Sequence, residues 1–178
     1  MMLVQHNQTC RSAHKEGLKM TITVGEMIPS VDIHTKTEDG VDTINTAEYC
    51  AGRKIVLFVV PGAFTPTCSA KHMPGFVEQF DRLKAAGADA VACLAVNDPH
   101  AMRAWALDQG ADGKIDMFAD ARCDFSKALG IDRDMGTVMG VRAARCAFII
   151  DQGVISHVFM EEVGVFDVSS AENILAHL

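Results

Sequence analysis

The sequence predicts an α/β fold, a sandwich in which helices flank a mixed central β-sheet. Two observations carry this. The apolar runs "KIVLFVV" and "DAVACLAV" have the length of strands buried on both faces, and segments of helical period follow each of them. Later, two strand-like runs meet at "DQG", a hairpin signal around Gly153. Strand–helix alternation implies parallel pairing and the hairpin adds antiparallel strands, so the sheet is mixed.

Each element has its own justification. "TITVGEMIPSVDIHTKTEDG" reads as an extended opening segment, broken by Pro29 and by an Asp39-Gly40 turn. "DTINTAEYCAG" holds a short helix closed by Gly52. "RKIVLFVV" is a core strand that ends at Pro61. After Cys68, Phe76, Val77, Phe80 and Leu83 recur at helical spacing, and Gly87 stops the helix. Pro74 removes a donor, so this helix kinks or restarts there. In "NDPHAMRAWALDQG", Asp98 caps a helix, Pro99 suits its first turn and Gly110 closes it, with Met102 and Trp105 on its core face.

"IDMFAD" is a short strand and "CDFSKALG" a short helix. "RCAFIID" and "VISHVFM" form the hairpin. In "SSAENILAHL", Ser169 and Glu172 have capping-box spacing, and Ile174, Leu175 and Leu178 make the apolar edge. There is no repeat and no linker, so residues 20–178 read as one domain.

Of the 178 residues, 49% are hydrophobic and 22% charged, which is a globular composition. A net charge of −7 argues against nucleic acid or an anionic membrane surface as partner, because both require a basic face. No apolar run approaches the roughly 18 residues of a membrane helix. Residues 1–19 lack a secretory apolar core and read as a disordered extension, with Met20 as an alternative start. Arg11, Lys15 and Lys19 against Glu16 make an organelle-targeting segment the competing reading.

The cysteines are Cys10, Cys50, Cys68, Cys93, Cys123 and Cys146, and no two are spaced C-x-x-C. Without a signal peptide this implies free thiols in a reducing, cytoplasmic setting rather than a disulfide framework. No histidine sits beside a cysteine pair, so neither a metal nor a cofactor is expected.

The chemistry concentrates in "PGAFTPTCS", Pro61 to Ser69, where a buried strand hands over to a helix. The thiolate is the reactive form of cysteine, and the unpaired amides of a first helical turn favour an anion. Thr65 sits one turn before Cys68 and offers a hydroxyl to the thiolate or to a substrate oxygen. Pro61 and Pro66 stiffen the loop, and Gly62 permits the turn that Pro61 begins. The competing reading is a structural cysteine at a strand end.

"PGAFTPTC" resembles the P-x-x-x-T-x-x-C motif of the peroxiredoxins, thiol peroxidases of thioredoxin-like fold. "HMPGFVEQFDRLKAAG" and "VACLAVNDPHAMRAWA" resemble the atypical type II and type-5 members, and the likeness runs from about Met20 to the end. The resemblance implies that Cys68 attacks a peroxide oxygen and becomes a sulfenic acid. It implies that Thr65 holds the peroxide and Pro61 shields the sulfur. It also places the required arginine at Arg145 in "GVRAARCAFII", ahead of Arg142, which reads as solvated loop surface. Hydrogen peroxide and alkyl hydroperoxides are the implied substrates, and a homodimer the implied assembly.

The C-terminal "EEVGVFDVSSAENIL" has no cysteine, a departure from relatives that carry a second redox cysteine there. Cys93 matches a cysteine of type II relatives, but its continuous apolar strand favours a buried inert thiol. A one-cysteine cycle follows, with glutaredoxin and glutathione as reductant and thioredoxin as the alternative. Cys146 should face the opposite side of the sheet, and Cys50 and Cys123 should pack on helix faces. His72, one turn beyond Cys68, either tunes the site or is a solvated helix residue. Met139 and Phe64 are candidate apolar walls. Two other readings use the same stretch. A redox sensor would pass oxidation from Cys68 to a client protein. A disulfide reductase would need C-x-x-C, and Thr65 stands at its first position.

Overall fold

The computed structural model describes residues 22–178, so the expected extension over residues 1–19, and Cys10 within it, lie outside the described residues. The chain opens with a hairpin of β1 (Asp32–Lys36) and β2 (Val41–Asn45), followed by α1 (Thr46–Cys50). The sequence reading had the short helix α1 but only an extended segment in place of the hairpin. β2 carries no apolar alternation, and its three leading residues are exposed. Asn45 caps α1, accepting from the Ala47 and Glu48 amides.

β3 (Lys54–Val60) is buried from its second residue to its last, because both its faces are covered. A π-helical turn, Cys68–His72, leads into α2 (Met73–Ala85). The restart expected at Pro74 is therefore a change from π to α geometry, and the wide turn lies on the reactive stretch. β4 (Ala90–Ala95), α3 (Pro99–Asp108), β5 (Asp116–Ala119) and α4 (Asp124–Leu129) follow as expected, and Asp98 caps α3 through the His100 and Ala101 amides.

Next come β6 (Asp132–Asp134), α5 (Gly136–Met139) and β7 (Val141–Ala143), a small ribbon that the sequence did not reveal. Its strands have three residues each, too short to show a period. β8 (Cys146–Asp151) and β9 (Val154–Met160) form the hairpin, with Gln152 and Gly153 both at positive φ, as a type I′ turn requires. The last helix is α6 (Ala171–Leu175). Its cap is Ser170, not Ser169, whose side chain is engaged elsewhere.

The seven-stranded sheet has the order β2-β1-β5-β4-β3-β8-β9. β3 runs parallel to β4 and antiparallel to β8, which makes the sheet mixed at its centre. Two cores lie on its opposite faces. One joins Ile55, Leu57, Val59, Phe118, Phe125 and Phe148, and the other joins Phe58, Cys68, Phe76, Cys93, Trp105 and Ile174. The order of strands puts β3 and β8 side by side, so the end of one and the start of the other meet at Cys68 and Arg145.

Candidate active site

The loop after β3 is held open by specific bonds. The Ala63 amide donates to Asn97 Oδ1 at 3.0 Å, and the Thr65 hydroxyl donates to the Gly62 carbonyl at 2.9 Å. The left-handed residue is Phe64, at φ 59°, and not Gly62. A Cβ at Gly62 would meet only ordinary contacts, the nearest being Thr65 Cγ2 at 3.4 Å. A large aromatic residue at positive φ is uncommon and stores strain beside the reactive stretch. The Ser69 amide donates to the Thr65 carbonyl at 3.0 Å, so Cys68 falls in the first turn.

Cys68 is 0% exposed. Arg145 Nη2 donates to its sulfur at 3.5 Å, and Arg145 Nη1 donates to His72 Nδ1 at 3.0 Å. His72 Nε2 lies 3.0 Å from the Ser169 carbonyl, which can only accept. Nε2 therefore carries the proton and Nδ1 is the bare acceptor for the guanidinium. Burial first, and then the Arg145 charge, push the His72 pKa down to about 3. His72 is thus a buried, neutral strut, which excludes its reading as a solvated residue. Phe58, Phe76 and Phe166 surround its ring.

Arg142 also departs from its sequence reading. It is half-buried in β7, and its Nε donates to the Met139 carbonyl at 2.8 Å while Nη1 donates to the Val96 carbonyl. Its Nε and Nη1 are both committed to main chain, whereas Arg145 bonds the sulfur.

Above Arg145 lies a cavity of about 190 Å³. Pro61, Thr67 and Arg145 line its base, with Met135, Val163 and Val165 as apolar walls. The expected walls, Phe64 and Met139, do not line it, and Phe64 is 55% exposed. The sequence missed Arg133, Glu161 and the loop after β9 because no motif marks them. Trp105 Nε1 donates to Ser69 Oγ at 3.0 Å, which ties α3 to the π turn.

Burial pushes Cys50 up to about 11 and raises the Cys93, Cys123 and Cys146 thiols too, so all four stay protonated near neutrality. Cys93 pairs in register with Phe58 and shares the core of Cys68, whose charge raises it further. Cys146 lies in the other core, as expected. Cys50 is buried on α1, but Cys123 is the residue preceding α4, at positive φ, and not on a helix face.

A buried sulfur in a first helical turn, faced by a guanidinium that also lines a small cavity on this fold, defines a thiol-based oxidoreductase. The Redoxin family model matches residues 23–175. The chain is 44% identical over 164 residues to peroxiredoxin-2E-2, chloroplastic, of rice, covering 89% of this chain and 73% of the rice protein. It is 39% identical to peroxiredoxin-2B of Arabidopsis thaliana, covering 88% of this chain and 98% of that one. Among solved structures, reduced Prx3 of Vibrio vulnificus in complex with hydrogen peroxide superposes with a TM-score of 0.86 at 43% identity, covering 88% and 99% of the two chains. The chain belongs to the peroxiredoxins, in the group of type II and type-5 members, and is a thiol peroxidase.

Proposed function

We propose that Cys68 is the peroxidatic cysteine and that hydrogen peroxide and alkyl hydroperoxides are its substrates. The observation that carries this is Arg145 Nη2 at 3.5 Å from the buried Cys68 sulfur. The thiolate attacks one peroxide oxygen. An S–O bond forms, the O–O bond breaks, and the leaving alkoxide or hydroxide takes up a proton to give alcohol or water. Arg145 stabilises charge on the sulfur and on the departing oxygen.

The Thr65 proton is already given to the Gly62 carbonyl. Its oxygen therefore serves as acceptor for the peroxide O–H, in place of the donor role suggested by sequence. Pro61, half-buried at the cavity base, shields the sulfur from bulk water.

The sulfenic acid is resolved by an outside thiol. One thiol condenses with it to a mixed disulfide and water, and a second thiol releases reduced Cys68 and the external disulfide. Glutathione with glutaredoxin is the reductant that suits a one-cysteine cycle. Cys93, a fully buried thiol, supports that reading over an internal disulfide and thioredoxin. Val138, Val163 and Phe64, exposed at 92%, 83% and 55%, are apolar side chains that a homodimer would cover. The named rice relative is chloroplastic, which favours the targeting reading of residues 1–19 over a cytoplasmic one. Steady-state peroxide consumption with glutathione and glutaredoxin, or with thioredoxin, tests the cycle. Turnover with thioredoxin alone would reassign the reductant.

A further inference from the structure

Glu161, the residue that follows β9, is 4% exposed. One of its oxygens, Oε1, accepts three bonds: from the Asp167 amide at 2.7 Å, the Ser169 amide at 2.8 Å and the Ser169 hydroxyl at 2.8 Å. A carboxylate spent in this way closes the loop that follows it into a fixed ring. That ring presents two groups to the site. Phe166 packs on the His72 ring at 4.9 Å and lies 5.8 Å from the Arg145 guanidinium. The Ser169 carbonyl accepts a hydrogen bond from His72 Nε2 at 3.0 Å. The Glu161 amide also donates to the Arg145 carbonyl at 3.1 Å.

We propose that Glu161 is a positioning residue: its Oε1 latches the loop so that the Ser169 carbonyl fixes His72, and His72 fixes Arg145 on the Cys68 sulfur. This rests on the peroxidase reading of Cys68. The order of bonds gives a direction to the effect. Without the acceptor at Oε1, the Ser169 carbonyl loses its place, the His72 ring is free to turn, and Arg145 loses one of its two anchors. The sulfur stays where the π turn puts it. The latch therefore acts most strongly on the reaction that needs the guanidinium at both the sulfur and the departing oxygen, and more weakly on a reaction that needs the thiolate alone.

The test uses the full chain and compares two rates at Cys68: oxidation by hydrogen peroxide and alkylation by iodoacetamide. Glu161→Ala should slow the peroxide step about 10- to 100-fold, the range expected for a misplaced catalytic group, while alkylation changes only a few fold. Glu161→Gln keeps the accepting oxygen and should restore most of the peroxide rate. Glu161→Asp keeps the charge but shortens the reach, so it should resemble Glu161→Ala and serves in its place if that variant does not fold. The imidazole nitrogen shifts of His72 should report one fixed tautomer in wild type and Glu161→Gln, and averaging in Glu161→Asp.

Equal slowing of both reagents, an unchanged peroxide rate in Glu161→Asp, or failure of Glu161→Gln to rescue would overturn the latch while leaving the peroxidase reading in place. Failure of wild-type Cys68 to react with peroxide would remove that reading, and the latch with it.

Discussion

Arg145 spans two partners with one guanidinium: Nη1 donates to His72 Nδ1 at 3.0 Å while Nη2 donates to the Cys68 sulfur at 3.5 Å. The fork geometry makes the histidine a strut that aims the second arm. The strut works only while the imidazole is neutral, because a protonated ring would face the guanidinium as a like charge. Burial ensures this over the physiological range.

The first prediction concerns that charge state. The His72 pKa falls from its ordinary 6.5 to about 3 in the folded chain. Below pH 6.5 the unfolded chain binds a proton that the folded chain refuses, so stability drops as pH falls from about 6.5 toward 3. One such proton contributes a slope of up to about 1.4 kcal/mol per pH unit. Thermal midpoints measured across this range should fall less steeply in His72→Gln than in the wild type. Parallel curves would mean that His72 is protonated in the folded state.

Arg145→Lys tests the fork. Lysine is shorter and carries its donors on one nitrogen, so it does not match the fork that spans His72 and the sulfur, and the peroxide step should slow about 100-fold or more with the fold intact. Stopped-flow oxidation of the reduced protein measures it. A rate within a few fold of wild type would move the charge role elsewhere.

Arg142→Ala should behave in the opposite way. It strands the carbonyls of Val96 and Met139, which costs about 1–3 kcal/mol of stability. The peroxide rate at Cys68 should change far less than in Arg145→Lys. Denaturant midpoints alongside rates separate the two arginines.

Trp105→Phe removes the donor to Ser69 and should cost about 1 kcal/mol. The loss falls on the π turn, so hydrogen exchange should rise in residues 68–72 more than in α3. A uniform rise across the domain would contradict a local tie.

How much of this was legible beforehand follows from the scale of each signal. The core strands β3, β4 and β8 were readable, because burial on both faces leaves unbroken apolar runs. The caps at Asp98 and the turn at Gly153 were readable because side-chain chemistry fixes them locally. The β6–β7 ribbon was not, since three residues show no period. Cys68 and Arg145 are singled out in the sequence by motif resemblance. The sequence leaves His72 open between tuning the site and a solvated helix residue, and Glu161 looks there like a polar residue at a strand end. Only the bonds that meet at Ser169, whose amide and hydroxyl donate to Glu161 and whose carbonyl accepts from His72, show that the two residues belong to one chain of bonds.

The most direct test of the central claim is to add one equivalent of hydrogen peroxide to the reduced protein, trap sulfenic acid and map every cysteine by mass spectrometry. The account predicts oxidation at Cys68, with Cys50, Cys93, Cys123 and Cys146 still thiols and no internal disulfide. Oxidation spread over several cysteines, or a Cys68–Cys93 disulfide as the main product, would contradict it.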